Sequence, residues 1–319
     1  MATPQTFLGV DIGGTRMSVG VVSSLGEVRA LRRLDTPRSA GAEACLGELL
    51  AAARALIAEA PSGERPLAVG VGFGGPVDAA AGEVRRSHHV AGWSGAPLVG
   101  RFSEATGLPV FLENDANAGA LAEALFGAAR GHGPLLYVNV GTGIGGGIVL
   151  KGRIHQGAHF NAAEIGHLVL LPDGPPCPCG RRGCLEALAS GDALGRRARE
   201  LQAAGLLGDS PLAGLGSLTG RVVGEYAACG DEAAVRIVAH AGTFLGWALA
   251  LASNLVDPDL ILVGGGVAAL GDLYLAPARA RFRDLAMDFL ADVPILTAAL
   301  GYDAGVIGAA AVAMTALKT

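Results

Sequence analysis

The chain has 319 residues, of which 51% are hydrophobic and 17% charged, so its composition excludes global disorder and allows two ordinary domains. The formal net charge of −5 provides no general attraction for nucleic-acid backbones or anionic lipid, and we expect neither as a partner. The N-terminal residues lack the basic and apolar regions of a secretory signal, so we expect a cytoplasmic protein.

A β-hairpin is the first predicted element. Residues 7–12 and 17–22 are β-type runs, and the two glycines between them are typical of a hairpin turn. Residues 135–150 repeat this strand, glycine turn and strand at a constant offset of 128, so that Asp11 falls on Asn139. Such a repeat predicts two related α/β halves that face one another.

Strands and helices alternate along the rest of the chain, which predicts the α/β class. The patterns predict, in order, a helix over 42–60, a strand over 67–73, a helix over 116–126, a strand over 260–263 and an Ala-rich helix over 305–317. Residues 237–256 have the length of a membrane span and contain no Asp, Glu, Lys or Arg. Because polar residues interrupt this segment and a strand follows it, we expect a buried helix and no membrane contact.

Three glycine clusters each follow a predicted strand. Successive backbone N–H groups in such turns can bind phosphate oxygens, although a plain hairpin turn is the alternative at any single cluster. No cluster fits the Walker A or dinucleotide-binding pattern, which disfavours a P-loop enzyme and a dehydrogenase. The three together favour a nucleotide-binding protein; they are Gly13, Gly14 and Thr15, then Gly141, Thr142 and Gly143, then Gly264, Gly265 and Gly266.

Two aspartates stand at the ends of predicted elements. Asp11 lies beside the first glycine turn, where a carboxylate either accepts backbone N–H bonds or approaches phosphate through Mg²⁺. Asp115 precedes the helix over 116–126, and the local sequence favours an N-cap there. The alternative is a general base that accepts the proton of a hydroxyl group attacking phosphate. Asn114 beside it offers a donor and an acceptor, which suits a sugar hydroxyl.

The most specific local pattern indicates a metal site. Residues 169–184 are rich in Pro, Gly and Cys, lack periodicity, and predict a loop that needs an external fastener. His167, Cys177, Cys179 and Cys184 form the Cys₃His set of a structural zinc site, with a metal-free thiol cluster as the alternative. The odd total of five cysteines argues against a disulfide framework.

Two glutamates accompany the zinc pattern. Glu164 precedes His167 by three residues, and Glu186 follows Cys184 by two, so the metal would hold Glu186 in place. If one ring nitrogen of His167 binds zinc, the other can donate to a ligand hydroxyl. Elsewhere in a chain, either glutamate would be interpreted as a solvated surface charge.

Five motifs together identify a resemblance. They are Asp11-Ile-Gly-Gly-Thr15, Glu113-Asn-Asp-Ala-Asn117, Gly141-Thr-Gly-Ile-Gly-Gly-Gly147, Glu164-Ile-Gly-His167 and Cys177-Pro-Cys-Gly-Arg-Arg-Gly-Cys-Leu-Glu186. The last is highly specific, whereas the glycine turns are shared with the wider sugar-kinase, heat-shock and actin-like superfamily. Over essentially its full length the chain resembles the ROK family (repressors, open reading frames and kinases), and the bacterial glucokinase branch in particular.

The resemblance implies an ATP-dependent sugar kinase with two related actin-like, ribonuclease H-like α/β domains and a cleft between them. We place one domain at 1–118, joined by the C-terminal helix 304–319, and a larger one at 119–303 with a zinc loop at 167–186. Asp115 would be the catalytic base, and sugar would contact Gly75, Asn114, Asp115, Glu164, His167 and Glu186. The site for ATP and Mg²⁺ would comprise Asp11, Gly13, Gly14, Thr15, Arg16 and the two later glycine clusters, and structural zinc would bind His167, Cys177, Cys179 and Cys184.

Three positions depart from the family pattern. Arg16 stands where these kinases usually have Lys, which keeps the charge but changes its geometry. Ala163 replaces the usual Gly before the Glu-x-Gly-His motif. Residues 87–93, which include His88 and His89, replace a segment similar to Asn-Leu-x-Gly-Trp that is common in glucokinases. The last departure concerns the identity of the sugar more than the type of reaction.

The expected reaction is phosphoryl transfer from MgATP to the 6-hydroxyl of a hexose, with glucose as the first candidate. N-acetylmannosamine, N-acetylglucosamine, fructose and allose are alternative substrates, and polyphosphate is an alternative donor. A sugar-sensing regulator is the competing class because the family includes repressors, but the ten residues before Asp11 leave no room for a DNA-binding domain in this sequence. The family also implies a homodimer or homotetramer.

Overall fold

The computed structural model describes residues 4–87 and 90–318. Its strands and helices alternate along the chain, which confirms the α/β class. The strands are β1 Thr6–Ile12, β2 Arg16–Ser23, β3 Val28–Asp35, β4 Val69–Phe73, β5 Val77–Asp78, β6 Glu83–Val84, β7 Val110–Asn114, β8 Leu135–Val140, β9 Ile144–Leu150, β10 Arg153–Ile154, β11 Leu260–Gly264 and β12 Ile295–Thr297. The α-helices are α1 Gly41–Glu59, α2 Leu98–Thr106, α3 Asp115–Phe126, α4 Leu185–Ala189, α5 Gly191–Ala203, α6 Gly220–Ala228, α7 Glu232–Val256, α8 Asp272–Leu285 and α9 Ala304–Ala316.

Two five-stranded sheets have the same architecture. Their orders are β3-β2-β1-β4-β7 and β10-β9-β8-β11-β12. In the first, β1 runs antiparallel to β2 and parallel to β4, and β4 runs parallel to β7. In the second, β8 runs parallel to β11, which runs parallel to β12, and β9 is antiparallel to β10. The sheets therefore correspond strand for strand, as the internal repeat predicts.

The first sheet is covered on both faces, which explains why β1 is almost entirely apolar. Leu8 and Val10 pack with α1 and α2 in one cluster, whereas Phe7 packs with α9 in another. The alternation follows from the two-residue period of side chains along a strand. On the α9 face, a Cβ added to Gly9 or to Gly70 would overlap a backbone carbonyl of α9, so these glycines allow the helix to lie directly against the sheet.

The long helix α7 packs with α4, α5, α6 and α8. It is the one helix in the described part of the chain that is long and apolar enough to cross a membrane, and 56% of the relevant window is buried. Gly242 and Gly246 lie against the backbone of α8, so the two helices approach closely. These contacts are those of a core helix, in agreement with the prediction for residues 237–256.

The chain divides into two compact units. Unit 1 comprises Met1–Gly131, Gly147–Ala162 and Leu300–Thr319, and unit 2 comprises His132–Gly146 and Ala163–Ala299. This grouping differs from the predicted division between residues 118 and 119, which would separate the first four residues of α3 from the rest of the helix. Helix α3 packs along its length against α9, and this packing keeps residues 119–126 with unit 1.

Candidate active site

Three parallel strands of unit 1 end at the same edge of the first sheet. Asp11 lies near the end of β1, Gly74 follows β4, and Asp115 follows β7. A Cβ added to Gly74 would lie 3.4 Å from Asp115 Oδ2 and 3.3 Å from the Ile12 carbonyl oxygen. Because the carboxyl ends of parallel strands meet at one edge, the fold brings together two aspartates that are far apart in the sequence.

The start of α3 orients Asp115. Asn114 is the N-cap, and its Oδ1 accepts the N–H groups of Ala116 and Asn117 at 2.9 and 3.2 Å. The N-cap interpretation of Asp115 is therefore wrong: Asp115 is the first helical residue, and its Oδ1 accepts the Ala116 N–H at 2.9 Å. Asn114 Nδ2 donates to the Gly75 carbonyl at 3.2 Å, which links the ends of β7 and β4.

Burial and a neighbouring charge alter the acidity of Asp11. Burial, and to a smaller extent the negative charge of Asp115, together raise the pKa of this carboxyl group to about 7. The carboxylate also lies against Gly305 in the first turn of α9, where an added Cβ would overlap it. A cation bound beside Asp11 and Asp115 would offset the repulsion between the two carboxylates and favour the ionised form of Asp11.

The first glycine turn is held by residues on both sides. The Gly13 N–H donates to the Arg16 carbonyl at 3.0 Å, and Thr36 Oγ1 donates to the Gly13 carbonyl at 2.8 Å. The Thr36 N–H donates to the Thr15 carbonyl at 3.1 Å. Thr15 and Arg16 are exposed at this turn. Thr36 was not singled out by the sequence, because nothing near residue 36 marks it as a partner of a turn twenty residues earlier.

A buried carboxylate close to Asp115 was not singled out from the sequence. Glu113 is 3% exposed; its Oε1 accepts the Asn114 N–H and Asn117 Nδ2 at 2.9 and 3.0 Å. Its Oε2 accepts Gln156 Nε2 at 2.6 Å. Glu113 thus ties the turn that carries Asp115 to the loop after β10. Its place in the Glu-Asn-Asp-Ala-Asn motif was visible, but Gln156 lies in a loop without any pattern.

In unit 2, the two later glycine clusters lie side by side. The Val267 N–H, just after the third cluster, donates to the Val140 carbonyl at 3.0 Å, just before the second. Gly265 has a φ of +90° and packs against the Val140 carbonyl, so this turn requires glycine. Gly141 and Gly266 have open space where a Cβ would stand. The close backbone approach of a ligand would be unhindered at both positions.

Four predicted metal ligands converge in unit 2. One ligand atom from each of His167, Cys177, Cys179 and Cys184 lies within 4.8 Å of all the others. The Cys179 and Cys184 sulfurs are 3.7 Å apart, and Cys177 Sγ is 3.7 Å from His167 Nδ1. Tetrahedral zinc with Zn–S bonds of about 2.3 Å requires sulfur separations of about 3.8 Å. The residues therefore fit zinc in both chemistry and spacing.

The loop itself is folded around these ligands. Residues 169 and 184 form one isolated bridge and residues 176 and 182 another, and Cys184 is the residue before α4. The Gly183 N–H donates to the Pro175 carbonyl, while the Leu170 N–H donates to the Gly183 carbonyl. Cys177 and Cys184 are buried. A metal at this position would fasten the loop from inside.

Both predicted glutamates lie beside this cluster. Glu164 Oε2 lies 3.9 Å from His167 Nε2, the ring nitrogen that faces away from the sulfurs. Burial raises the pKa of Glu164, His167 opposes this rise, and the charge of Glu186 adds to it. Glu186 Oε2 accepts the Ile144 N–H at 2.9 Å, and Oε1 lies 3.9 Å from Cys177 Sγ. Glu164, His167 and Glu186 are thus neighbours, as their sequence positions suggest.

Two of the departures from the family pattern have a structural counterpart. Ala163 has a φ of +63°, a left-handed conformation in which glycine is favoured over residues with a Cβ. Trp93 is 2% exposed and packs edge-on against Phe73, with ring centroids 5.5 Å apart. His88 and His89 lie outside the described residues.

Comparisons with known proteins agree with this arrangement. Residues 7–316 match the model of the ROK family. The chain is 36% identical to a glucokinase from Thermotoga maritima, with 96% of each chain covered, and 33% identical to an N-acetylmannosamine kinase from Citrobacter koseri, with 96% of this chain and 98% of that protein covered. Among solved structures it is similar to a ROK family glucokinase from Streptomyces griseus in complex with glucose and AMPPNP, at 37% identity and a TM-score of 0.81, covering 96% of this chain and 98% of that chain. The resemblance inferred from the five motifs is thereby confirmed, and the chain belongs to the ROK family.

Proposed function

We propose that this protein is a sugar kinase that transfers the γ-phosphoryl group of MgATP to the 6-hydroxyl of a hexose, with glucose as the first substrate. The observation that carries the proposal is the placement of Asp115 at the carboxyl edge of the first sheet, beside Asp11 and the first glycine turn. The glucokinase relatives, at 34–36% identity, support the reaction and the sugar.

Asp115 acts as the general base. Its carboxylate accepts the proton of the sugar hydroxyl as that oxygen attacks the γ-phosphorus and the bond to the leaving ADP oxygen breaks. Asn114, as the N-cap of α3, and Glu113, which accepts the Asn114 N–H, hold the Asp115 backbone in place. Phosphate oxygens are bound by backbone N–H groups of the turns at 13–15, 141–143 and 264–266, with Arg16 as a nearby cation. Asp11 would hold Mg²⁺, directly or through its waters, and the cation would neutralise charge on the phosphates.

The sugar is held by Gly75, Asn114, Glu164, His167 and Glu186. Carboxylates accept hydrogen bonds from hydroxyl groups, while Nε2 of His167 donates one when Nδ1 faces the metal. Structural zinc supplies a rigid anchor for the loop that presents these side chains. The role assigned to His167 is consistent with its orientation, since Nδ1 points to Cys177 and Nε2 to Glu164.

Other substrates and states are secondary candidates. The N-acetylmannosamine kinase relatives, at 33% identity, make that sugar the second candidate, and N-acetylglucosamine, fructose and allose follow. Polyphosphate is a candidate donor in place of ATP, and a sugar-sensing role is the alternative from a different class. We also propose that the protein forms a homodimer or homotetramer. We propose a cytoplasmic location as well, because the five free cysteines and the use of MgATP both suit that compartment.

Sugar-dependent release of ADP tests the function. The panel contains glucose, mannose, fructose, N-acetylglucosamine and N-acetylmannosamine, each with MgATP. We expect kcat/KM to be highest for glucose. A higher value for an N-acetyl sugar would keep the reaction and replace the substrate. Binding of a sugar without any turnover would reject the kinase and favour the sensor.

A further inference from the structure

One carboxylate in unit 2 contacts both the metal cluster and a glycine turn. Glu186 Oε2 accepts the N–H of Ile144, the residue after the Gly141–Gly143 turn, at 2.9 Å. Glu186 Oε1 lies on the other side, 3.9 Å from Cys177 Sγ. A Cβ added to Gly143 would overlap the Glu186 carboxylate, so the turn and the carboxylate are in direct contact. Glu186 thus contacts both the predicted metal cluster and the second glycine turn.

The backbone around Glu186 strengthens this link. The Gly191 N–H donates to the Gly141 carbonyl at 2.8 Å, and the Asp192 N–H donates to the Thr142 carbonyl at 3.2 Å. Residues 184–192 therefore run from a metal ligand to the glycine turn and form three hydrogen bonds with residues 141–144, including that of Glu186. These bonds leave little freedom for the turn to change shape.

The segment that backs the turn is itself rigidly placed. Cys184, Leu185 and Ala189 are fully buried. The Ala189 carbonyl accepts the hydroxyl of buried Tyr274 at 3.0 Å, which joins α4 to α8. Ser190 caps α5 by accepting the Ala193 N–H. A movement of the turn would have to break contacts within this packed segment.

We propose that Glu186 is a positioning residue for the glycine turn at 141–143 and, through it, for the nucleotide phosphates. This role adds to the sugar contact given above and rests on the proposed function, which places phosphate at this turn. Backbone N–H groups bind phosphate well only when they are already oriented, because reorienting them on binding costs free energy. If the Ile144 N–H lost Glu186 as its acceptor, the end of the turn would become free to move. Nucleotide affinity therefore depends on Glu186, a residue that also contacts the sugar.

Nucleotide affinity without sugar separates this role from sugar binding. We would measure the Kd of MgADP by calorimetry for the intact, zinc-loaded protein and for Glu186→Asp and Glu186→Gln. Aspartate keeps the charge but is one methylene too short to reach Ile144, whereas glutamine keeps the reach and one carbonyl acceptor. We expect Glu186→Asp to weaken MgADP binding about tenfold, the effect of losing a hydrogen bond to a charged acceptor, and Glu186→Gln to stay within about twofold of wild type.

The matched control is Glu164→Gln, because Glu164 belongs to the same proposed sugar set but pairs with His167. It should weaken glucose binding and leave the MgADP Kd unchanged. Wild-type MgADP affinity in folded Glu186→Asp would overturn the inference while leaving the kinase proposal intact. Absence of MgADP binding to the wild-type protein would overturn both.

A second variant covers the case in which Glu186→Asp does not fold. Gly143→Ala keeps Glu186 but pushes its carboxylate away from Ile144, and the φ of Gly143 is one that alanine can adopt. Hydrogen exchange should then become faster at the Ile144 amide, and MgADP binding should weaken about tenfold. Slow exchange at Ile144 together with wild-type MgADP affinity in this variant would contradict the proposal.

Discussion

At the carboxyl edge of the first sheet, two aspartates have different surroundings and different expected roles. Asp115 begins α3 and accepts a backbone N–H through one oxygen, whereas Asp11 is half-buried, lies against α9 and has a pKa raised to about 7. In the sequence, Asp11 was singled out by its position at the end of a β-type run, and Asp115 by its position before a predicted helix. The sequence could not assign the N-cap, because Asn114 and Asp115 are both good capping residues and only the helix start distinguishes them.

The assignment of Asp115 as the base predicts the effect of Asp115→Asn. Asparagine keeps the size and the hydrogen bond to Ala116 but cannot accept the hydroxyl proton, so kcat should fall by about 10²- to 10⁴-fold. The KM values for sugar and ATP should change little. Asp209→Asn, at an exposed position of unit 2, is the control and should keep the wild-type kcat. ADP release at saturating substrates is the measurement, and a wild-type kcat in Asp115→Asn would reject the assignment.

The raised pKa of Asp11 predicts a pH dependence of stability in the absence of MgATP. The native protein holds this proton more tightly than the unfolded chain, in which the pKa is near 3.8. The contribution of Asp11 to stability is therefore complete below about pH 4 and is lost as the pH rises through about 7. Asp11→Asn removes this loss, so its Tm relative to wild type should rise between pH 4 and pH 7 and level off above.

Thermal unfolding of both proteins across this range, without nucleotide or Mg²⁺, is the measurement. Both proteins share their other titrating groups, so the difference in Tm isolates Asp11 and the carboxylate that contacts it electrostatically, Asp115. A difference that does not vary with pH would show that Asp11 is ionised in the folded protein throughout.

At the scale of elements, the loop at 169–184 has little secondary structure of its own, and we expect it to depend on the proposed zinc ligands. Residues 169–184 contain two isolated β-bridges but no strand or helix. The Cys-x-Cys spacing was readable in the sequence because ligands so close together must share a site. His167 lies ten residues before Cys177, and a short 3-10 helix at Ile165–His167 orients it toward the cysteines. No sequence pattern predicted this helix.

Replacement of one proposed ligand tests whether zinc holds this loop in place. Cys179→Ala should abolish zinc retention, lower Tm by about 2–4 °C for each kcal/mol lost, and raise the KM for sugar, because the loop that presents His167 and Glu186 loosens. Cys229→Ala is the matched control: this cysteine is exposed and lies outside the cluster. It should keep both zinc and Tm. Metal analysis and thermal unfolding are the measurements, and full zinc content in Cys179→Ala would contradict the ligand set.

The contact between α9 and the first sheet predicts a strong effect of one methyl group. A Cβ at Gly70, in β4, would overlap the carbonyl of Ala309 in α9, so Gly70→Ala should destabilise unit 1 by about 1–3 kcal/mol. Gly100→Ala, in α2, has open space at the Cβ position and should instead stabilise by up to about 1 kcal/mol. Urea unfolding of the two variants measures the difference. Equal stability would show that α9 can move away from β4 without cost.

At the scale of the whole molecule, the internal repeat corresponds to two sheets of identical strand order. The offset of 128 that aligns Asp11 with Asn139 also aligns β1 with β8 and β2 with β9 in the sequence. The remaining strands occupy corresponding places in the two sheets. The unit boundaries were harder to predict. Unit 1 includes residues 147–162 and 300–319 because these segments pack on it after long excursions of the chain. The family resemblance had already implied the return of helix 304–319 to the first domain, whereas the local sequence gives no sign of the return of residues 147–162.

The sequence by itself determined the α/β class, the glycine turns, the Cys₃His pattern and membership of the ROK family, because each of these depends on residue types at short spacings. It also revealed the repeat, because the same strand and glycine pattern recurs at a constant offset. Tertiary structure alone decided that Asn114 rather than Asp115 caps α3, that Glu113 is held by Gln156, and that Glu186 supports the turn before Ile144. These are contacts between segments up to 43 residues apart, or between two equally suitable neighbours. Their partners are chosen by the packing of strands and helices, and local sequence carries no record of that choice.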